Sequence, residues 1–171
     1  MARNRNKNRV FRFNRRTRLQ TDYQLRLRLL KSKLPRLVVR RSNKNVLVQI
    51  VEYSENGDHI ITSAKSVDLK KMGYNLNTGN ISAAYLTGLL AGKRAQKAKV
   101  NADCVVDLGL QNAFKGSRLF AAVKGVMDSG VKVRVSDVVF PTEERINGEH
   151  LKAKDASKVI EKTKKAIEGM K

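Results

Sequence analysis

Three aspartates, Asp68, Asp103 and Asp107, are of the type that can gather as a metal-binding carboxylate cluster in a nuclease. Asp103 and Asp107 bracket a short apolar run, however, and solvation or capping of strand ends accounts for them more simply. Gly88-Leu-Leu-Ala-Gly92-Lys93-Arg94 approaches a phosphate-binding loop but misses it. Three residues rather than four separate the glycines, and Arg94 stands where a Mg²⁺-binding hydroxyl belongs. Helix packing explains the stretch better. Cys104 lies in the same apolar run with no basic neighbour in sequence, which predicts a buried, inert thiol. The two histidines, His59 and His150, match no triad or metal-ligand spacing. The residues predict no enzyme and no cofactor or metal.

The arginines are the chemically active population. Arg3, Arg5, Lys7, Arg9, Arg12, Arg15, Arg16 and Arg18 form a dense series interleaved with Phe11 and Phe13. Guanidinium groups bind phosphate in a two-pronged fork and stack on bases, so the mixture favours nucleic acid over a membrane surface. Phe11 and Phe13 could stack on unpaired bases or anchor the segment on the protein's own core. Both readings stand equally on sequence. Arg26, Arg28 and Lys31, then Arg40, Arg41 and Lys44, extend the charge.

The imbalance is concentrated. The chain of 171 residues has a net charge of +21, and residues 1–44 hold 16 Lys/Arg against one acid, Asp22. Residues 45–171 hold 20 against 14. A charge block of this kind repels itself unless it meets a polyanion. One cysteine permits neither an intrachain disulfide nor a Cys-based zinc site, which argues against a secreted, cross-linked scaffold. The first twelve residues lack the apolar stretch of a secretory signal, and no run reaches the roughly 18 apolar residues of a membrane span. An Arg-rich start also suits a transit peptide, but Ser is scarce and no apolar stripe accompanies it. The expectation is a soluble intracellular protein facing a polyanion, with no membrane partner and no small-molecule substrate.

Positioning these cations requires a fold. Residues 1–20 read as a basic arm, 21–150 as one α/β domain and 151–171 as a C-terminal basic amphipathic helix. A short helix is expected from Thr21 as N-cap, with Asp22 in its first turn and Pro35 beyond its end. Leu25, Leu27 and Leu29 alternate with Arg26 and Arg28 in a way that also suits a strand. Three strands follow, at 36–41, 46–53 and 59–65, in an antiparallel meander whose second turn carries Asn56-Gly57. Ile81, Ala84, Tyr85, Gly88, Gly92 and Ala95 recur at helical spacing behind the start signal Thr78-Gly79-Asn80, and their small size predicts a close approach to a sheet. Residues 103–108 read as a strand buried on both faces. A second helix carries Leu119, Ala122, Val123, Val126 and Met127, introduced by Gly116-Ser117 and stopped by Gly130. Val131, Val133 and Val135 suggest an edge strand. The last helix, 155–171, turns Ala156, Val159, Ile160, Thr163, Ile167 and Met170 to one side. Three strands, helix, strand, helix is an α/β arrangement.

Runs in order along the chain carry a family resemblance. They include Thr21-Asp22-Tyr23, Leu29-Leu30-Lys31-Ser32, Pro35-Arg36-Leu37-Val38-Val39 and Ser42-Asn43-Lys44. Thr78-Gly79-Asn80, Ala83-Ala84-Tyr85-Leu86-Thr87-Gly88, Asp107-Leu108-Gly109-Leu110 and Gly116-Ser117-Arg118 continue it, and Phe140-Pro141 through Gly148-Glu149-His150 close it. Over residues 10–151 the chain resembles the archaeal form of the L eighteen family, the 5S rRNA-binding protein of the large ribosomal subunit. The resemblance implies a three-layer α/β domain with a mixed sheet and no catalysis. It implies 5S rRNA, large-subunit rRNA and neighbouring proteins of the central protuberance as partners. Carried over by position, the arm, the Tyr23 to Lys31 segment and the Arg40, Arg41, Ser42, Asn43 and Lys44 turn would face RNA. Thr78, Asn80, Lys115, Ser117 and Arg118 would add contacts near helix starts. The chain departs from the family pattern at Val133-Arg134, where a Pro-His pair is common, and at Gln111 to Lys115, where a Thr-containing loop is usual. The competing readings are a nonspecific nucleic-acid chaperone and a metal-dependent nuclease.

Overall fold

The computed structural model describes residues 12–99, 103–151 and 155–170. Alternation of apolar and polar residues builds a four-stranded sheet from β1 (Arg36–Arg41), β2 (Val46–Glu52), β3 (His59–Lys65) and β4 (Val105–Asp107). Its order is β3-β2-β1-β4. β1 and β3 flank β2 antiparallel, while β4 runs parallel to β1, so the sheet is mixed. Gly57, at φ +132°, supplies the turn between β2 and β3, where Asn-Gly predicted it.

One face of the sheet is apolar. Leu37 and Val39 of β1 meet Val46, Val48 and Ile50 of β2, all buried, and α3 (Ile81–Lys97) and α4 (Arg118–Asp128) pack on them. Asn80 caps α3 by accepting the Ala83 N–H at 2.7 Å, which explains why the Thr78-Gly79-Asn80 signal works. α6 (Ala156–Glu168) lies against α3, with Ile160 and Ile167 buried in the same core. On the opposite face sits α2 (Tyr23–Lys31), preceded by the four-residue α1 (Asn14–Thr17). A one-turn helix, α5 (Glu143–Ile146), and a 3₁₀ segment (Ser66–Met72) complete the architecture. Helix, sheet and helix make the α/β arrangement that the residue pattern predicts and the three layers that the family resemblance implies. Among the described residues no helix is long and apolar enough to cross a membrane.

Four local expectations are corrected. The N-cap of α2 is Asp22, not Thr21: Asp22 Oδ1 accepts the Gln24 and Leu25 N–H groups at 2.9 and 3.1 Å. The close approach of α3 is to a helix rather than to the sheet. A Cβ on Gly88 would fall on the carbonyl oxygen of Ala122, and one on Gly125 of α4 on that of Tyr85. The strand expected over 103–108 shortens to three residues at a sheet edge, with Val105 and Val106 half-buried. Beyond it Val133 makes a single parallel bridge to Cys104 in place of an edge strand.

The helix contact gives a first expected result. Gly88→Ala gains about 1 kcal/mol of helix propensity but pushes a methyl into a backbone that cannot yield. A net loss of about 1–3 kcal/mol should appear as a lower urea midpoint. An unchanged midpoint would contradict the close packing of α3 on α4.

Candidate nucleic-acid interface

Register explains how the polar face of the sheet is organised. Asp107 of β4 stands opposite Val38 of β1, so Arg36 and Arg40, two residues to either side, share its face. Arg36 Nη1 donates to Asp107 Oδ2 and Arg40 Nη2 to Asp107 Oδ1, both at 2.9 Å. Arg40 Nη1 also donates to the Asp107 carbonyl at 2.6 Å. Gly109, at φ +63°, leaves room for that guanidinium: a Cβ there would lie 3.0 Å from Arg40 Cζ. At the other end Arg36 Nη2 donates to Asp58 Oδ2 at 2.6 Å, and Arg26 Nη2 of α2 donates to both Asp58 oxygens at 2.9 Å. The result is a ladder, Arg26–Asp58–Arg36–Asp107–Arg40, with Arg36 only 3% exposed at its centre.

Burial works against the charge of Asp58, but hydrogen bonds from Arg26 and Arg36 outweigh it and hold its carboxyl below the usual value of 3.8. A carboxylate with a lowered folded-state pKa stabilises the fold above its unfolded value, and that stabilisation disappears as pH falls through the folded value. Asp58→Asn should therefore lower the urea midpoint at pH 6, by the equivalent of up to about 1 kcal/mol for this partly exposed pair. The difference should shrink steadily below pH 3.8. A pH-independent difference would contradict an ionic role for Asp58.

At the C-terminal end of β1 three loops converge. The 42–45 turn is closed by Ser42 N–H to the Asn45 carbonyl at 2.8 Å. Thr78 Oγ1, in a buried residue, donates to the Lys44 carbonyl at 2.8 Å, tying in the loop that starts α3. Arg118 Nη1, in the first turn of α4, donates to the Gly79 carbonyl at 2.7 Å and to Asn43 O at 3.5 Å. Gln111 pairs both ways with the Arg41 backbone, at 3.0 and 2.7 Å. Arg41, Asn43, Lys44 and Lys115 remain exposed around the starts of two helices, whose free N–H groups and dipoles also favour anions. The Oγ of Ser117, the α4 N-cap residue, is buried and has no hydrogen-bond partner among the described residues.

The predicted RNA-facing residues thus sort by fate. Arg41, Ser42, Asn43, Lys44, Thr78, Asn80, Lys115, Ser117 and Arg118 come together at one end, with Thr78 and Asn80 spent on holding loops and capping α3. Arg12, Arg16, Arg18, Arg28 and Lys31 are exposed. Phe13 is 70% exposed and its ring sits 5.0 Å from that of Tyr23. Arg15 Nε donates to Thr21 Oγ1 at 2.9 Å. Arg26 and Arg40 are engaged by carboxylates, which charge counting alone does not foresee. Arg3, Arg5, Lys7, Arg9 and Phe11 lie outside the described residues. Sequence reasoning missed Arg36 and Asp58 altogether. The available signal was a charge at the head of the apolar run Leu37-Val38-Val39 and an acid directly after the Asn-Gly turn.

The remaining chemical candidates also have partners. Asp68 accepts Arg94 Nη1 at 3.1 Å, and Asp103 pairs with Arg134 at 3.4 Å, so the three aspartates belong to three separate arginine contacts. Cys104 is buried, and burial with the neighbouring Asp103 pushes its thiol up to about 11. It is chemically quiet at neutral pH.

Comparison with known proteins decides the family. The model of the family described as ribosomal large subunit proteins 60S L5 and 50S L18 matches residues 7–105. The chain belongs to this family. It is 48% identical over 139 residues to the large ribosomal subunit protein uL18 of Korarchaeum cryptofilum, covering 81% of this chain and 71% of that one. It is 47% identical over 140 residues to uL18 of Methanococcus maripaludis, covering 82% and 72%. It is 41% identical over 160 residues to uL18 of Methanoregula boonei, covering 91% of each. The family match spans Arg26, Asp58, Arg36 and Arg40 of the ladder and the whole β1–β2 turn, and ends two residues short of Asp107.

Proposed function

We propose that this chain is a structural component of the large ribosomal subunit that binds 5S rRNA and helps attach it to the large-subunit rRNA in the central protuberance. Neighbouring ribosomal proteins there are its protein partners, and its place is the cytoplasmic ribosome. Membership of a large-subunit ribosomal family is the observation that carries the reading. The basic end formed by the 42–45 turn and the starts of α3 and α4 supports it physically, because it presents exposed cations beside helix N-termini. Affinity would come from phosphates, and specificity from the shape and unpaired bases of the folded RNA.

With ~8 of the cations in residues 1–44 on phosphates of largely unpaired RNA, the log–log salt slope should be about −6. A slope shallower than about −2 would contradict a phosphate-dominated interface. The nuclease alternative loses ground because Asp103 and Asp107 are engaged by arginines. The attachment role is tested by reconstitution. Large-subunit rRNA and 5S rRNA should co-sediment when the chain is supplied with the other central-protuberance proteins, and 5S rRNA should be lost from the particle when the chain is omitted. Full 5S rRNA retention without it would overturn the proposal.

A further inference from the structure

α2 does not close on the sheet. None of its residues is buried, and between it and the ladder-bearing face lies a cleft of about 280 Å³. One wall carries Leu25 and Leu29, the other Val38 and Val51, and the cleft opens beside Ile60 and Leu110, which are 50% and 54% exposed. Arg36 and Arg40 also line it, and Arg15 and Arg26 line it on the helix side.

This combination selects a ligand chemistry. A lining of aliphatic side chains and guanidinium groups suits a flat, polarisable ring, because a ring packs against either kind of surface. Asp107 clamps the 37%-exposed Arg40 in place, so little rotamer freedom is lost when a ring settles on it, while the buried Arg36 backs the cleft. The ladder holds three arginines against two aspartates, which leaves an excess positive charge for an anion attached to that ring. A planar ring bearing an anion, in an RNA-binding family member, is a nucleotide.

We infer that the cleft between α2 and the sheet takes one unstacked nucleotide, its base between Leu25/Leu29 and Val38/Val51 and its phosphate on Arg26. The inference rests on the RNA-binding reading above and adds a base-binding site to it. Arg26 can leave Asp58 for the phosphate because Asp58 keeps its 2.6 Å bond from Arg36, so the exchange strands no carboxylate. The site also explains why α2 is held by an exchangeable ion pair rather than by a buried apolar seam.

Methyl NMR on the full chain tests the cleft without the RNA. Titration with the four nucleoside monophosphates should shift the Leu25, Val38, Val51 and Ile60 methyl signals saturably, while inorganic phosphate at matched ionic strength should not. Equal shifts with inorganic phosphate, or no shifts with either, would overturn the inference. Leu25→Trp and Ile60→Trp fill the cleft from positions outside the buried core, so both variants should fold. Each should weaken 5S rRNA binding about tenfold while the salt slope falls by less than about 1, because one stacked base is displaced together with only the single phosphate on Arg26. Unchanged affinity in both folded variants would also overturn the inference. Failure of the 5S rRNA reading itself would look different: the chain would show no preference for that RNA, whatever mononucleotides do to the methyl signals.

Discussion

Replacing Asp107 with Ala is expected to cost about 3–5 kcal/mol of folding stability. The physical reason is the neighbour rather than the aspartate. Arg36 is 3% exposed, and Asp107 neutralises one edge of its guanidinium while also accepting from Arg40 and from the Gly109 N–H. Removing the carboxylate leaves a buried cation half-compensated, with Asp58 alone beside it. Domain stability is typically about 5–15 kcal/mol, so the variant should unfold at far lower urea. Arg26→Ala, by contrast, breaks a pair whose side chains are 32% and 27% exposed, and about 1 kcal/mol or less is expected. Replacing Arg36 and Asp107 together by Met and Leu should recover much of the loss, because apolar substitutes for a buried pair are often neutral. A cost below about 1 kcal/mol for Asp107→Ala would show that the ladder does not hold β4 to β1.

Deleting residues 1–20 should change RNA affinity more than any single substitution. Those residues hold eight of the 16 cations in residues 1–44. With phosphate contacts shared evenly along that stretch, the salt slope should fall from about −6 to about −3, and affinity near physiological salt should fall roughly hundredfold. The fold should be unaffected, because no described residue of this segment is buried. Binding measured across a salt series checks both numbers, and an unchanged slope would remove the arm from the interface.

Elements with local causes were legible in the sequence. The 3.6-residue stripe from Ile81 and the Asn80 cap define α3, and Asn56-Gly57 defines its hairpin, because each depends only on near neighbours. The start of α2 was legible to within one residue, since Thr21 and Asp22 are both good caps and Thr21 instead accepts from Arg15. The 103–108 run misled because a continuous apolar run reads as buried on both faces, whereas only β1 lies beside β4 and the far side holds a single bridge. In the candidate site, charge density was visible but its allocation was not. Arg36 meets partners 22 and 71 residues away, so neither contact is written in any local window. The same holds for Arg26 and Arg40, which look like free cations until the packing of α2 beside the β2–β3 turn gives one Asp58 and the sheet register gives the other Asp107. Arg118 was placed correctly near a helix start, but its grip on Gly79 depends on two loops meeting in space.

The most direct measurement is competition between 5S rRNA and tRNA for the full chain, titrated across salt. A specific member of the 5S rRNA-binding machinery should prefer 5S rRNA about hundredfold or more, and the preference should persist at physiological salt, because shape and base contacts do not depend on counterion release. Equal binding to both RNAs that fades together as salt rises would contradict the proposed role and leave a nonspecific polycation.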